Sequence, residues 1–62
     1  MPAAKVYRVA PPKGRPATEE AAWPTARAIL DYHEDGASGH CLRRLDNGWH
    51  HHRLNITVLW GD

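Results

Sequence analysis

The dipeptide Asn47-Gly48 sits between two runs of strand-forming residues and constrains the fold more than any other feature of this chain. Both residues tolerate the positive φ of tight hairpin turns, whose twist matches that of the flanking strands. Cys41, Leu42 and Leu45 precede the pair. Trp49 follows it, and then Leu54, Ile56, Thr57, Val58, Leu59 and Trp60, rich in β-branched and aromatic side chains. Gly39 to Trp60 therefore reads as an antiparallel hairpin, with Ile56 to Trp60 either continuing its last strand or forming a further one.

The turn decides which side chains face inward. A two-residue Asn47-Gly48 turn sets Asp46 opposite Trp49, Leu45 opposite His50 and Arg44 opposite His51. Cys41, Arg43, Leu45, His50, His52, Leu54, Ile56, Val58 and Trp60 then share the more apolar face, expected against a helix. Leu42, Arg44, Trp49, His51, Arg53, Asn55 and Thr57 share the other. A three-residue Asp46-Asn47-Gly48 loop with Gly48 as a bulge pairs Leu45 with Trp49 instead, and a one-residue slip changes which side chains are partners.

Upstream, Val6-Tyr7-Arg8-Val9 alternates as a half-buried strand does, with Tyr7 and Val9 expected inward. Pro11 and Pro12 end it, and residues 10–18 form a basic Pro/Gly loop expected to be flexible. Thr18-Glu19-Glu20-Ala21 resembles a helix start, with a cap and acids in the first turn. Pro24 opposes a continuous helix from there, because an interior proline removes a backbone bond at a cost of ~3 kcal/mol. Proline suits a first helical position, so the helix is expected from Pro24 to about Glu34, stopping at Gly36. Ala26, Ile29, Leu30 and His33 fall on one stripe, Arg27 and Asp31 are spaced to pair, and Asp35 to Gly39 connects to the hairpin. The expected fold is α+β, a single helix packed on a three- to four-stranded antiparallel sheet in the order β-α-β-β with a fourth strand if Ile56 to Trp60 is separate.

With 62 residues the chain is one domain with a thin core, since a domain of this size buries roughly 60% of its unfolded surface. The single cysteine, Cys41, excludes an internal disulfide. That lone thiol, with no apolar signal-peptide core near the N-terminus and no apolar run long enough to span a bilayer, points to the cytoplasm. Net charge is +1, but its distribution is uneven. Lys5 to Arg15 carries only cations, Glu19 to Asp35 carries five acids and Arg27, and His40 to Arg53 is basic again except for Asp46.

The run His50-His51-His52 suggests a metal, but neighbours in a strand point to opposite faces and Cys41 has no second cysteine beside it. No cofactor, no metal and no enzymatic activity are expected. The basic, aromatic hairpin is the better candidate surface. Trp49, Arg44, His51 and Arg53 on one face, with Arg43 beside them, could anchor a protein interface or stack bases and hold phosphates.

The order VYRV, AAWPTARAILDYH, GHCLRRLDNGWHHHR, ITVLW resembles the layout of small phage-encoded β-α-β-β proteins, some of them anti-CRISPR inhibitors of type I systems. The resemblance covers most of the chain and implies a stoichiometric inhibitor that docks on a host protein or nucleoprotein complex, such as a CRISPR effector, in the host cytoplasm. A small nucleic-acid-binding module is the alternative. Ile56 to Trp60 is apolar at nearly every position, and as an unblunted sheet edge it would invite a second copy. Either the first strand covers that edge or a second copy pairs with it; a symmetric homodimer burying Trp60 is favoured, leaving the Trp49 surface to the partner.

Overall fold

The computed structural model describes residues 4–11, 13–33 and 40–61. Along the chain run β1 (Lys5–Val9), α1 (Glu19–Tyr32), β2 (Leu42–Leu45), β3 (Gly48–His51) and β4 (Ile56–Trp60). The strands form one sheet in the order β1-β4-β3-β2, with α1 lying over β4 and β1. The fold is α+β as expected, but the sheet is mixed. β2–β3 and β3–β4 are antiparallel, whereas β1 pairs with β4 in parallel, Lys5 opposite Ile56 and Val9 opposite Trp60. The helical crossover and hairpin between β1 and β4 make that parallel pairing accessible, as parallel neighbours need a long connection.

The helix starts earlier than Pro24. Thr18 is its N-cap, with φ −130° and ψ 164°, and its hydroxyl accepts a bond from the Ala21 amide at 3.2 Å. Glu19 and Glu20 occupy the first turn, where negative charge suits the helix dipole. Pro24 lies inside α1. Pro24 and Glu20 are both exposed, so the Glu20 carbonyl left without its helical donor is open to water. A helix beginning at Pro24 would forgo the Thr18 cap and release Ala22 and Trp23 from the core, where Ala22 is buried beside Ala26 and Leu30. Tertiary burial outweighs the local penalty of the proline. The expected end of the helix near Glu34 and Gly36, and the Asp35–Gly39 connection, lie outside the described residues; the last assigned helical residue is Tyr32, capped by His33. Arg27 and Asp31 approach to 3.6 Å.

The hairpin is present, but neither expected register is observed. Asp46 and Asn47 form the turn and Gly48 opens β3, opposite Leu45. Gly48 does not use a positive φ. Its role is close approach: a Cβ there would lie 2.0 Å from the Val58 carbonyl oxygen and 2.9 Å from the Leu59 Cα. The left-handed residue of the region is Asn55 instead, φ 55°, closing the turn that separates β3 from β4.

The core comprises Val9, Ala22, Ala26, Leu30, Trp49, Ile56, Val58 and Trp60, with Tyr7, Trp23, Ile29, Leu42 and Leu54 packed against it. Three tryptophans pack in series: Trp23 on Trp49 with centroids 5.1 Å apart, and Trp49 on Trp60 at 4.9 Å. Tilted contacts of this kind supply packing beyond simple burial, about 0.5–1.5 kcal/mol each. β4 is an interior strand, flanked by β1 and β3, and Trp60 is buried within the single chain. The edge on which a second copy was expected to pair is thus occupied by β1. Among the described residues, no helix is long and apolar enough to cross a membrane.

Candidate functional site

Cross-strand partners share a face of a sheet, so the pairings divide the strand residues into two sets. Toward α1 point Lys5, Ile56, His51 and Leu42 in one row, and Tyr7, Val58, Trp49 and Arg44 in the next. Away from it point the rows Val6, Thr57, His50, Arg43 and Arg8, Leu59, Gly48, Leu45. The reversal at residues 52–55 sets His51 opposite Ile56. The inward face of β4 therefore matches the expectation, while that of β2 and β3 is inverted.

The expected surface is accordingly split. Trp49 is 5% exposed and His51 4% exposed, both in the interior, so neither is presented to a partner. Arg44 closes that interior. Its guanidinium lies 4.5 Å from the Trp60 ring centroid and 5.5 Å from that of Trp49. Its Nε donates to Glu19 Oε1 at 2.5 Å, and a terminal nitrogen donates to the Gly48 carbonyl at 3.2 Å. Arg44 therefore ties the start of α1 to the β2–β3 hairpin. Arg53 is exposed in the turn after β3, off the sheet. Of the five expected contact residues, Arg43 stands exposed on the face away from α1, whereas Arg44, also exposed, is engaged on the face toward it.

The histidine run is dispersed. The His50 Nδ1 and the Thr57 hydroxyl are hydrogen-bonded at 2.8 Å across β3 and β4 on the open face. His51 Nδ1 accepts the Leu54 amide at 3.1 Å, which requires that nitrogen to be unprotonated. Burial pushes the His51 pKa below its usual 6.5, and the neighbouring His52, Arg53 and His50 charges push the same way. His52 is exposed in the turn. Among the described residues, no three His, Cys, Asp or Glu side chains cluster as a metal site would require.

The face of the sheet that no described element covers is the larger candidate surface. It is an array of two rows across four strands, with Arg8 and Arg43 at one pair of diagonal corners and Val6 and Leu45 at the other. Leu59, Thr57 and His50 fill the centre, and the Leu59 side chain leans over Gly48. Val6 is 55% exposed, and both arginines are exposed. Three inter-strand steps separate β1 from β2, about 14 Å at the usual spacing. No carboxylate stands in either row; Asp46 lies in the turn beyond Leu45. Arg8, Val6 and Leu59 were not among the expected contacts, since their placement depends on the parallel β1–β4 pairing. Comparison with protein-family models, curated proteins and solved structures finds no match.

Proposed function

We propose that this chain is a non-catalytic binding module whose uncovered sheet face docks on an acidic surface of a larger protein or nucleoprotein complex. The observation that carries this reading is the layout of that face: aliphatic side chains with an arginine at each of two opposite corners and no carboxylate in either row. Leu59 in the centre and Val6 and Leu45 at two corners supply apolar area and the arginines supply charge, a mixture that suits a protein interface, where burial gives affinity and arginine gives anchoring and steering. A single-stranded nucleic acid would seek exposed aromatic rings on which to stack. The tryptophans that could have served are turned inward under α1 and Arg44. The resemblance to small type I anti-CRISPR inhibitors makes a CRISPR effector the first complex to try, with inhibition arising from occupancy of its surface.

The test is capture by tagged protein from cells of the native host, wild type against Arg8→Glu/Arg43→Glu, with duplex DNA titrated in parallel. We expect a defined protein complex retained by wild type and lost by the double variant, whose fold should be unchanged because both side chains are exposed. Equal retention by both proteins would remove the assigned face. DNA binding that weakens steeply with salt would establish the nucleic-acid alternative instead, since such a slope reports phosphate contacts.

A further inference from the structure

We propose that the outer edge of β1 accepts an added β-strand from a partner protein: an extended acidic segment whose apolar side chains enter the groove between β1 and α1. This rests on the reading of the sheet as a docking surface and specifies how the contact continues past its edge.

The backbone supplies the first part of the case. The Lys5 amide donates to the Asn55 carbonyl at 3.1 Å, so the Lys5 peptide groups point at β4. Backbone groups alternate along a strand, so those of Tyr7 and Val9 also point at β4, whereas those of Val6 and Arg8 point outward. β1 is terminal in the sheet, and among the described residues no strand pairs with that outer side. Proline, a common way of blunting such an edge, is absent from β1 itself; the sequence has Pro2 before it and Pro11 after it.

Side chains supply the second part. Behind β1 lies a groove of about 390 Å³ lined by Tyr7, Thr25, Ala28, Ile29, Tyr32 and His33. Its lining is predominantly apolar, and Tyr32 at its margin is 86% exposed. The Tyr7 hydroxyl and His33 Nε2 are hydrogen-bonded to one another at 3.1 Å, which satisfies those polar atoms without a ligand. A strand added beside β1 sets alternate side chains on the Tyr7 side, over this groove, and the others on the Val6 and Arg8 side.

Charge selects the occupant. β1 carries Lys5 and Arg8 and no acid. A second copy pairing through β1 would bring four cations onto two adjacent strands. An alternating acidic and apolar segment instead sets carboxylates beside Arg8 and apolar side chains in the groove. Strand addition gains affinity from main-chain bonds and specificity from the alternate side chains.

The probe is a capped peptide of alternating Glu and Leu, titrated into the labelled protein by NMR, with the Lys and Leu counterpart as control. In the free protein the Val6 and Arg8 amides should exchange rapidly with solvent while those of Tyr7 and Val9 are protected. The acidic peptide should protect Val6 and Arg8 and shift Ile29 and His33; the basic one should do neither. Val6→Pro removes an outward N–H while leaving the bonds to β4, and should weaken binding about tenfold, as loss of one main-chain bond does. Ala28→Glu, at an exposed helical position lining the groove, should weaken it comparably without touching the strand. Val6 and Arg8 amides already protected in the free protein, or equal binding of both peptides, or unaltered binding by both variants, would overturn the proposal. Loss of the host complex by Arg43→Glu with full retention by Val6→Pro and Ala28→Glu would keep the open face and remove the added strand. Peptide binding with a host complex indifferent to Arg43→Glu would do the reverse.

Discussion

The two faces of the sheet use the same residue types for opposite ends. On the covered face Arg44 lies over Trp60 and bonds to Glu19, and His51 is buried against the Leu54 amide. One residue away in sequence, Arg43 projects into solvent and His50 lies half-buried on the open face beside Thr57. Each pair is chemically matched, yet the inner member faces α1 and the core while the outer member faces away from it. What separates them is strand parity alone, because successive side chains leave a strand on opposite sides. A basic residue in a short strand is therefore not in itself a sign of a binding surface. On the covered face Arg44 instead lies over Trp49 and Trp60 and closes the core.

The contrast is sharpest for the tryptophan stack. Trp49→Ala removes a side chain that touches both Trp23 and Trp60, and should cost about 3–5 kcal/mol, much of the stability of a small domain. Val6→Ala, on the open face, should stay within about 0.5 kcal/mol. Urea denaturation monitored by tryptophan fluorescence measures both. Comparable losses would mean that the open face is itself packed against something.

One position breaks the rule that the open face tolerates change. Gly48 belongs to that face, but a Cβ there meets the Val58 carbonyl and the Leu59 backbone. Gly48→Ala should cost about 3 kcal/mol or more and displace β4 from β3, more than ordinary overpacking, since backbone rather than a flexible side chain must yield. Amide exchange of β4 would report the displacement. A neutral substitution would show that the two strands can separate at that point without penalty.

Arg44→Ala against Arg43→Ala tests parity directly. The inner arginine loses contacts with two tryptophan rings, a partly exposed ion pair and a bond to the Gly48 carbonyl. Such contacts together amount to about 1–2 kcal/mol at a site open to solvent on one side. Arg43→Ala should leave stability unchanged within about 0.5 kcal/mol. Arg44→Lys should recover only part of the loss, because an ammonium does not reproduce the flat stacking of a guanidinium. Equal effects of the two alanine substitutions would invert the assignment of faces.

Much of this arrangement was legible in the residues, and the limits have physical causes. Alternation in Val6 to Val9 and the apolar stripe from Ala26 to Leu30 report burial directly: β1 forms with Tyr7 and Val9 inward, and α1 with Ala26, Ile29 and Leu30 inward. The Asn47-Gly48 signal located the hairpin but not its register. Close approach to Val58 decides the place of Gly48, and that is a tertiary contact no local pattern reveals. A separate strand at Ile56 to Trp60 was one of the two expectations, but the face assignment ran alternation unbroken from His50 to Trp60, and the turn at 52–55 resets parity for everything before it. Pro24 misled for a related reason: its local penalty is real, but the gain from Thr18 capping and the burial of Ala22 is paired with residues elsewhere. The candidate surface depended on both the register and the parallel β1–β4 pairing, and so was the least legible part.

The smallest expected effect concerns the two adjacent histidines and pH. His51 is buried with its Nδ1 accepting the Leu54 amide, and burial followed by the nearby His52, Arg53 and His50 charges holds its pKa below 6.5. An unfolded chain takes up a proton on this residue near its usual value, whereas the folded protein takes it up only at lower pH. Unfolding therefore binds a proton in the interval between the two values, and acid shifts the balance toward the unfolded chain. The contribution of His51 is complete above about pH 6.5, declines as pH falls from there to the folded value, and is constant below it. Protonation at Nδ1 would also cost the bond to Leu54. His51→Asn offers an oxygen where Nδ1 lies, retains an acceptor for that amide and removes the titration. It should flatten the slope of stability against pH just below 6.5 while leaving stability at neutral pH close to wild type. His50→Asn removes only the smallest of the neighbouring charges that lower the His51 pKa, and should change that slope only slightly. Denaturation midpoints across that interval for the three proteins provide the measurement. A slope that persists in His51→Asn and disappears in His50→Asn would show that the outer histidine, not the buried one, couples folding to pH.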